Sequence, residues 1–201
     1  MKEKCDLMDL VSKKVGGKIP LVLGTGGNNT TVAAELTKKA ADLGACGVLV
    51  VTPYYNKPTQ NGLIAHFTEI AKATSLPVIL YNVPGRTGVN MTAQTTLELT
   101  KIPNVKAVKE ASGNLEQVMD ILSGAPEGFN LLSGDDSLNF PIMALGGKGV
   151  ISVTANVDPA RMKSFTKAAL RGDWEEARRI HFELLPLHRA CLLYTSPSPR
   201  D

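Results

Sequence analysis

The sequence predicts an α/β fold in which helices cover a parallel sheet. Short runs of apolar residues, apolar on both faces, alternate along the chain with amphipathic helical segments. Polar side chains of varied chemistry follow these runs, at the positions where the strands end. Six such units could form a doubly wound sheet or part of an eight-stranded barrel. In both folds the functional residues belong at the C-terminal ends of strands.

The first half of the chain contains four of these units. Apolar residues at helical spacing predict that residues 1–15 form the end of an amphipathic helix. Thr30 is predicted to cap the next helix and Gly44 to stop it. Further helical segments carry Phe67 and Leu97. The predicted strands are residues 19–23, 48–52, 77–81 and the segment that ends at Lys109.

The second half repeats the alternation. Asn114 and Gln117 resemble a capping box at the start of a helix. Asp158 and Pro159 are typical of the N-cap and first turn of another helix. The predicted strands are residues 129–133 and a segment that begins at Gly149 and whose loop ends at residue 156. A short helix separates these strands, and a last helix begins near Trp174.

Composition and charge exclude several classes of function. The 201 residues suffice for one well-buried domain, and 22 basic against 19 acidic residues argue against nucleic acid or an acidic membrane as partner. No apolar run reaches the roughly 18 residues of a membrane span. Three widely spaced cysteines, Cys5, Cys46 and Cys191, suit a reducing compartment. The sequence therefore predicts a soluble cytoplasmic protein.

The motifs for cofactors and metals are incomplete. The glycine-rich loop 24–29 begins like a dinucleotide fingerprint, but Asn29 stands at the third glycine and the strand 48–52 has no acidic residue. Asp135 and Asp136 are predicted to form a turn or helix cap rather than a cation site. The histidines lack zinc spacing, which predicts packing or surface roles for His66, His181 and His188. No metal or cofactor is predicted.

Lys109 is the strongest candidate for a catalytic side chain. Alternate residues of a strand share a face, so Val105, Ala107 and Lys109 point the same way. An amine at the end of an apolar strand, on its apolar side, is desolvated, which favours the neutral nucleophilic form. The alternative is a lysine whose ammonium group extends to solvent at a strand end.

Tyr81 and Arg86 favour the catalytic interpretation. Ile79 and Tyr81 alternate onto one face of their strand, which places the phenol at the strand end, as for Lys109. A buried phenol needs a hydrogen-bond partner and could relay protons beside an amine. Arg86, in the loop that follows, carries a guanidinium suited to a carboxylate. Together these residues suggest carbonyl chemistry on a carboxylated substrate.

The chain resembles the dihydrodipicolinate synthase family of pyruvate-dependent aldolases over about residues 19–187. The resemblance lies in five segments, which are TPYYNKP, LYNVPGRTG, VKAVKEASGN, LLSGDD and GVISVTANV. It implies the (β/α)8 TIM-barrel fold, here an incomplete barrel of about six βα units. It also implies that residues 1–190 are a partial aldolase domain, and that 191–201 are a disordered or foreign tail outside the family.

The resemblance also implies roles for individual residues. Lys109 would form a Schiff base with pyruvate, and Tyr81 would donate and accept protons. Tyr55 would complete a proton relay by reaching the site of a neighbouring subunit, in a homo-oligomer that is commonly a tetramer. The other implied residues are substrate ligands, namely Arg86 for the carboxylate of aspartate semialdehyde, Ile151 for pyruvate through its backbone, and Gly134.

The implied reaction is the class I aldol condensation of pyruvate with L-aspartate 4-semialdehyde, which gives 4-hydroxy-tetrahydrodipicolinate on the diaminopimelate route to lysine. It needs no metal or diffusible cofactor. One alternative is another pyruvate-dependent lyase, such as N-acetylneuraminate lyase, although Arg86 in VPGRTG and the segment GVISVTANV favour the synthase. The other alternative is a catalytically inactive barrel fragment, because the threonine-containing loop that binds pyruvate in the family is expected upstream.

Overall fold

The structure, a computed structural model, describes residues 2–192, and the chain divides into two compact units between Leu131 and Leu132. The first unit contains α1 (Lys2–Val15), β1 (Val22–Gly24), α2 (Thr30–Asp42), β2 (Gly47–Val51), α3 (Gln60–Lys72), β3 (Val78–Asn82), α4 (Pro84–Thr87), α5 (Ala93–Leu99), β4 (Val105–Glu110) and α6 (Leu115–Gly124). The boundary falls within β5 (Asn130–Ser133). The second unit contains α7 (Asn139–Ala144), β6 (Gly149–Val150), α8 (Pro159–Leu170) and α9 (Trp174–Leu192).

The strands of the first unit form a parallel sheet, as predicted. β1 pairs with β2, β2 with β3, and β3 with β4, and every pairing is parallel. In this register Val51 lies beside Tyr81, and Tyr81 beside Lys109. Since parallel strands end at the same edge of a sheet, the predicted site residues of β3 and β4 meet there.

The two faces of this sheet are buried to different extents. Val50, Leu80 and Val108, on the face that the helices cover, are fully buried. On the opposite face Leu49 and Val51 are only half-buried. Parallel strands flanked by helices are expected to be apolar on both faces, and here the less covered face leaves room for a cavity.

Two local predictions in the first unit were wrong. Asn29, rather than Thr30, is the N-cap of α2, because its extended backbone lets Oδ1 accept the N–H of Val32 at 3.1 Å. The Thr30 hydroxyl instead contacts Nδ1 of His66 on α3 at 2.9 Å. The predicted strand 19–23 begins later, at Val22, since the register of β1 starts only where Val22 lies beside Gly47.

The second unit pairs β5 with β6 in parallel, with Leu132 beside Gly149. Its core lies between α8 and α9, where Phe165, Ile180 and Leu184 are buried. β6 is only two residues long, shorter than predicted, and the chain then forms a 3-10 turn at Thr154–Asn156.

This turn of the second unit is held by buried polar contacts. The N–H of Thr154 donates to Oδ2 of Asp136 at 2.8 Å, and the Thr154 hydroxyl contacts Nδ1 of His188 at 2.8 Å. The predicted cap at the Asp pair is confirmed, because Oδ1 of Asp135 accepts the N–H of Ser137 at 3.1 Å. These contacts hold the turn, and His188 is buried.

The last helix is longer than the sequence predicted. α9 continues through Cys191 and Leu192, where no helix was expected. The buried residues of this helix that pack in the core of the second unit, Ala177, Ile180 and Leu184, all precede this extension. The rest of the predicted tail, residues 193–201, lies outside the described residues. Within residues 2–192, no helix is both long and apolar enough to cross a membrane.

Candidate active site

Lys109 lies near the C-terminal end of β4 and is buried, with 8% of its surface exposed. The preceding strand explains this burial, since Val105 and Ala107 on the same face are also buried. Lys106, on the other face, is exposed. The sequence-based placement of Lys109 on an apolar face is therefore confirmed, and the alternative of a lysine extending to solvent is wrong.

Tyr81, at the corresponding position of β3, contacts this amine. The Lys109 Nζ lies 4.0 Å from the centroid of the Tyr81 ring, well within the range of a cation–π contact. The contact follows from the register, in which Tyr81 and Lys109 are directly paired. Two residues that the sequence singled out on separate strands are thus brought together.

Tyr81 also lines a cavity in the first unit. The cavity has a volume of about 360 Å³. It opens at the C-terminal ends of the strands, and its lining includes Gly24, Val51, Tyr54, Tyr81, Val83 and Arg86. Tyr81 therefore belongs both to the cavity and to the contact with Lys109. A small ligand in this cavity would lie against the phenol.

The electrostatics of Tyr81 keep the phenol protonated near neutral pH. Burial raises the pKa of Tyr81 above its usual range, and the positive charge of Arg86 partly opposes that rise. A protonated phenol can donate to a leaving hydroxyl group and then accept a proton, with Arg86 stabilising the transient phenolate. The arrangement is suited to proton transfer beside an amine.

Arg86 lies on α4, a single helical turn directly after β3. Gly88, at φ +73°, ends this turn in the left-handed region. The buried hydroxyl of Thr87 lies 3.2 Å from the carbonyl oxygen of Val83 and 3.0 Å from that of Val89, either of which can accept its proton, and it accepts from the Thr52 hydroxyl at 3.3 Å. These contacts attach the Arg86 turn to the end of the neighbouring strand β2.

Tyr55 is placed differently from the other predicted site residues. Its side chain is 89% exposed and its backbone has φ +72°, an unusual conformation for a tyrosine. In the described part of the chain it is the preceding residue, Tyr54, that lines the cavity. The structure does not bring Tyr55 to Lys109 within the first unit.

Gly134 and Ile151 belong to the second unit. Gly134 directly follows β5, and Ile151 follows β6. The backbone N–H of Ile151 donates to the carbonyl of Ser133 at 2.8 Å. A backbone contact from Ile151 to a ligand would therefore use its carbonyl oxygen.

A group of buried polar residues, not predicted from the sequence, lies behind the site. Asn82 and Glu110 directly follow Tyr81 and Lys109, and both are buried on the helix-covered face. Gln117 donates to Glu110, so the predicted capping box is only half correct: Asn114 caps α6, but the Gln117 side chain does not reach back to it. Strand alternation could have revealed this group, since polar residues at helix-facing positions need partners.

Metal ligation has no support in the geometry. Among residues 2–192, no group of three or more His, Cys, Asp or Glu side chains is placed to hold a metal ion. His66 is buried between α2 and α3, with Nδ1 in contact with Thr30.

Comparison with known proteins identifies the family. The model of the Dihydrodipicolinate synthetase family matches residues 1–200 of the chain. The chain belongs to this family. The resemblance inferred from five short segments is thereby confirmed.

Relatives within the dihydrodipicolinate synthetase family are similar along nearly the whole chain. The 4-hydroxy-tetrahydrodipicolinate synthase 1 of Halalkalibacterium halodurans is 47% identical over 98% of this chain and 66% of its own length. The 4-hydroxy-tetrahydrodipicolinate synthase of Methanosarcina mazei is 51% identical over 90% of this chain and 63% of its own length. The chain thus spans just under two thirds of the length of these relatives.

Solved structures of family members have the same fold. The dihydrodipicolinate synthase of Aquifex aeolicus matches with a TM-score of 0.94 at 44% identity, over 98% of this chain and 67% of that one. The enzyme of Acinetobacter baumannii, described as chloride inhibited and complexed with pyruvate, matches with a TM-score of 0.93 at 40% identity and the same coverage. The α/β barrel-family fold class predicted from the sequence is confirmed.

Proposed function

We propose that the chain carries the Schiff-base centre of a 4-hydroxy-tetrahydrodipicolinate synthase. This lyase condenses pyruvate with L-aspartate 4-semialdehyde on the diaminopimelate route to lysine. The observation that carries the proposal is the 4.0 Å contact between a buried lysine amine and a phenol at adjacent strand ends. Membership of the family and the similar A. baumannii enzyme described as complexed with pyruvate support it.

The first half of the proposed reaction attaches pyruvate to Lys109. The neutral Nζ attacks the ketone carbon, and the resulting carbinolamine loses water after its hydroxyl group receives a proton. Tyr81 supplies that proton, since burial keeps its phenol protonated near neutral pH. The product is a protonated imine, whose positive charge lies at the Nζ position above the Tyr81 ring.

The second half forms the carbon–carbon bond. The protonated imine withdraws electrons, so that a methyl proton of the bound pyruvate leaves and an enamine forms. The enamine carbon attacks the aldehyde carbon of aspartate semialdehyde, and the aldehyde oxygen takes up a proton. The amine of that substrate then attacks the imine carbon and closes the ring, which releases the Lys109 amine.

Arg86 is proposed to bind the carboxylate of aspartate semialdehyde. Arg86 is among the residues that line the cavity beside Tyr81, and a guanidinium can bind a carboxylate through two parallel hydrogen bonds. Gly134 and Ile151 are proposed to bind substrate as well, with Ile151 contacting pyruvate through its carbonyl. These two assignments rest on the resemblance to the family.

Tyr55 is proposed to act across a subunit interface. Its exposed side chain and left-handed backbone are consistent with a residue that projects towards another molecule. A homo-oligomer, a tetramer in the form common to the family, is the proposed assembly. The three cysteines form no disulfide, which supports the reducing cytoplasm as the compartment.

Borohydride trapping tests the proposed function. The protein is incubated with pyruvate, reduced with borohydride, digested and mapped by mass spectrometry. A pyruvate adduct is expected on Lys109, and Lys106 serves as an internal control because it is exposed on the other face of the same strand. No adduct, or equal labelling of both lysines, would refute the proposal. An assay with aspartate semialdehyde then tests the condensation itself.

A further inference from the structure

A cluster of buried polar side chains lies directly behind the proposed Schiff-base centre. It consists of Asn82 on β3, Glu110 on β4 and Gln117 on α6, and is called here the Glu110 cluster. Glu110 is 1% exposed and Asn82 is fully buried. Burying a carboxyl group costs free energy unless hydrogen bonds replace those lost to water, so Glu110 needs hydrogen-bond donors around it.

Glu110 accepts hydrogen bonds from three directions. Its Oε1 accepts the backbone N–H of Ser112 at 2.7 Å, and its Oε2 accepts from Nε2 of Gln117 at 3.2 Å. The Asn82 Nδ2 lies within 3.2 Å of both carboxyl oxygens. All of these partners are donors, so the contacts require Glu110 to present two acceptor oxygens.

Asn82 extends the cluster to the segment between α4 and α5. Its Oδ1 accepts the backbone N–H of Met91 at 2.9 Å, while Nδ2 lies 2.8 Å from Oδ1 of Asn90. Gln117 binds the same segment, because its Oε1 accepts from Nδ2 of Asn90 at 2.8 Å. The Glu110 cluster therefore joins the ends of β3 and β4 to the start of α6, and Asn82 and Gln117 attach the connecting segment to it.

The register couples the cluster to the two site residues. Asn82 is paired with Glu110 one residue after the pairing of Tyr81 with Lys109. A shift of either strand end would therefore move Tyr81 and Lys109 relative to each other. Because a lysine has a long flexible stem, the position of its amine depends on how firmly the strand end beneath it is held.

We propose that Glu110, Asn82 and Gln117 are positioning residues that hold the strand ends of β3 and β4 in register, and so keep the Lys109 amine over the Tyr81 ring. The role deepens the proposed function and rests on it for its chemical consequence. Burial raises the pKa of Glu110, and hydrogen bonds from Ser112, Asn82 and Gln117 offset only part of that rise.

Substitutions that keep side-chain size can first break and then restore the pairing of hydrogen-bond donors with acceptors in the Glu110 cluster. In Glu110→Gln one acceptor oxygen becomes an amide donor that faces the Asn82 amide or another donor. Combining Glu110→Gln with Asn82→Asp exchanges donor and acceptor and restores the direct pair. Gln117→Met removes the donor to Glu110 together with the hydrogen bonds to Asn90 and Met91, and it leaves the backbone pairing of the sheet intact. Asn104→Ala is the matched control, because it breaks hydrogen bonds to Ala71, Thr74 and Leu76 at the opposite end of β4.

The first experiment measures geometry without any substrate. Lysine labelled with ¹³C at Cε reports the ring-current shift that Tyr81 exerts on Lys109, assigned by the loss of its signal in Lys109→Arg. The shift is expected to move towards its Tyr81→Leu value in Glu110→Gln and Gln117→Met, and to return partly in the exchanged pair. Asn104→Ala is expected to keep the wild-type shift. An unchanged shift in folded Glu110→Gln and Gln117→Met would overturn the proposal.

The second experiment measures the chemical consequence by borohydride trapping. A displacement near 1 Å lowers reaction rates by about 10- to 100-fold, so the maximal rate of adduct formation in Glu110→Gln is expected to fall by that factor. The pyruvate concentration at half-maximal rate is expected to change less than about twofold, because Glu110 faces away from the site. Equal loss in Asn104→Ala would indicate general destabilisation and would contradict a positioning role.

The two experiments separate this proposal from the proposed function. If the wild-type chain forms no adduct with pyruvate, the proposed function fails, while the ring-current shift still decides whether the cluster positions Lys109. If the wild-type chain forms the adduct and Glu110→Gln forms it at the same rate with the same shift, only the positioning role fails.

Discussion

Removing the hydroxyl group of Tyr81 separates its two proposed contributions. Tyr81→Phe retains the ring 4.0 Å beneath the Lys109 Nζ but cannot transfer protons, whereas Tyr81→Leu removes both features. Because Tyr81 is only half-buried and lines the cavity, loss of its hydroxyl group is not expected to disturb the core of the sheet. The two variants therefore distinguish acid–base chemistry from stabilisation of positive charge.

The expected magnitudes follow from the two contacts. General acid–base catalysis contributes about 10²- to 10⁴-fold, or about 3–5 kcal/mol of barrier, so Tyr81→Phe should slow adduct formation by that factor. The ring stabilises a desolvated cation at Nζ by about 2 kcal/mol, and Lys109 is 8% exposed. Tyr81→Leu should therefore also lower the amount of protonated imine at equilibrium by about 30-fold.

The assay is borohydride trapping with pyruvate, followed over time and quantified by mass spectrometry at Lys109. In the wild type the rate is expected to fall at alkaline pH, because the phenol donates its proton only below its raised pKa. Tyr81→Phe should lose this alkaline decline. Adduct formation by Tyr81→Phe at the wild-type rate, with the decline unchanged, would show that another group moves the protons.

Three further predictions concern the loop, the core and the substrate. A Cβ at Gly26 would collide with the backbone nitrogen of Val51, so Gly26→Ala should lower the free energy of unfolding, measured by urea titration, by about 1–3 kcal/mol. A Cβ at Gly27 meets open space, so Gly27→Ala should change this free energy by less than about 1 kcal/mol. Equal effects of the two substitutions would contradict this packing. Burial lowers the pKa of His66 from 6.5 to about 4, so the unfolded chain takes up its proton first, and stability should fall by up to about 3 kcal/mol as the pH falls from 6.5 to 4. His66→Gln should remove this part of the acid dependence, and an identical profile in the variant would refute it. Arg86→Lys should raise the KM for aspartate semialdehyde about tenfold and leave the pyruvate adduct intact, because a lysine cannot bind a carboxylate through two parallel bonds; loss of the adduct would assign Arg86 to pyruvate instead.

Residues with a local signal were predicted from the sequence. The alternation of strand residues placed Lys109 and Tyr81 at the ends of their strands, and the burial of Lys109 is confirmed, whereas Tyr81 is only half-buried. Where two neighbouring residues can both make the same hydrogen bond, the sequence does not show which of them makes it. Thr30 and Asn29 both have capping side chains, and only the contact of Thr30 with His66 decides that Asn29 caps the helix.

The sequence alone determined the parallel α/β class, the ends of most strands and the chemistry available at those ends. These features depend on periodicity and on residue type, which are properties of short segments. Tertiary structure decided which residues meet. It paired Tyr81 with Lys109, gave Glu110 a buried set of donors from three segments, and left Tyr55 exposed. Those outcomes depend on the register between strands and on the packing of helices far away in the chain, and no local pattern encodes either one.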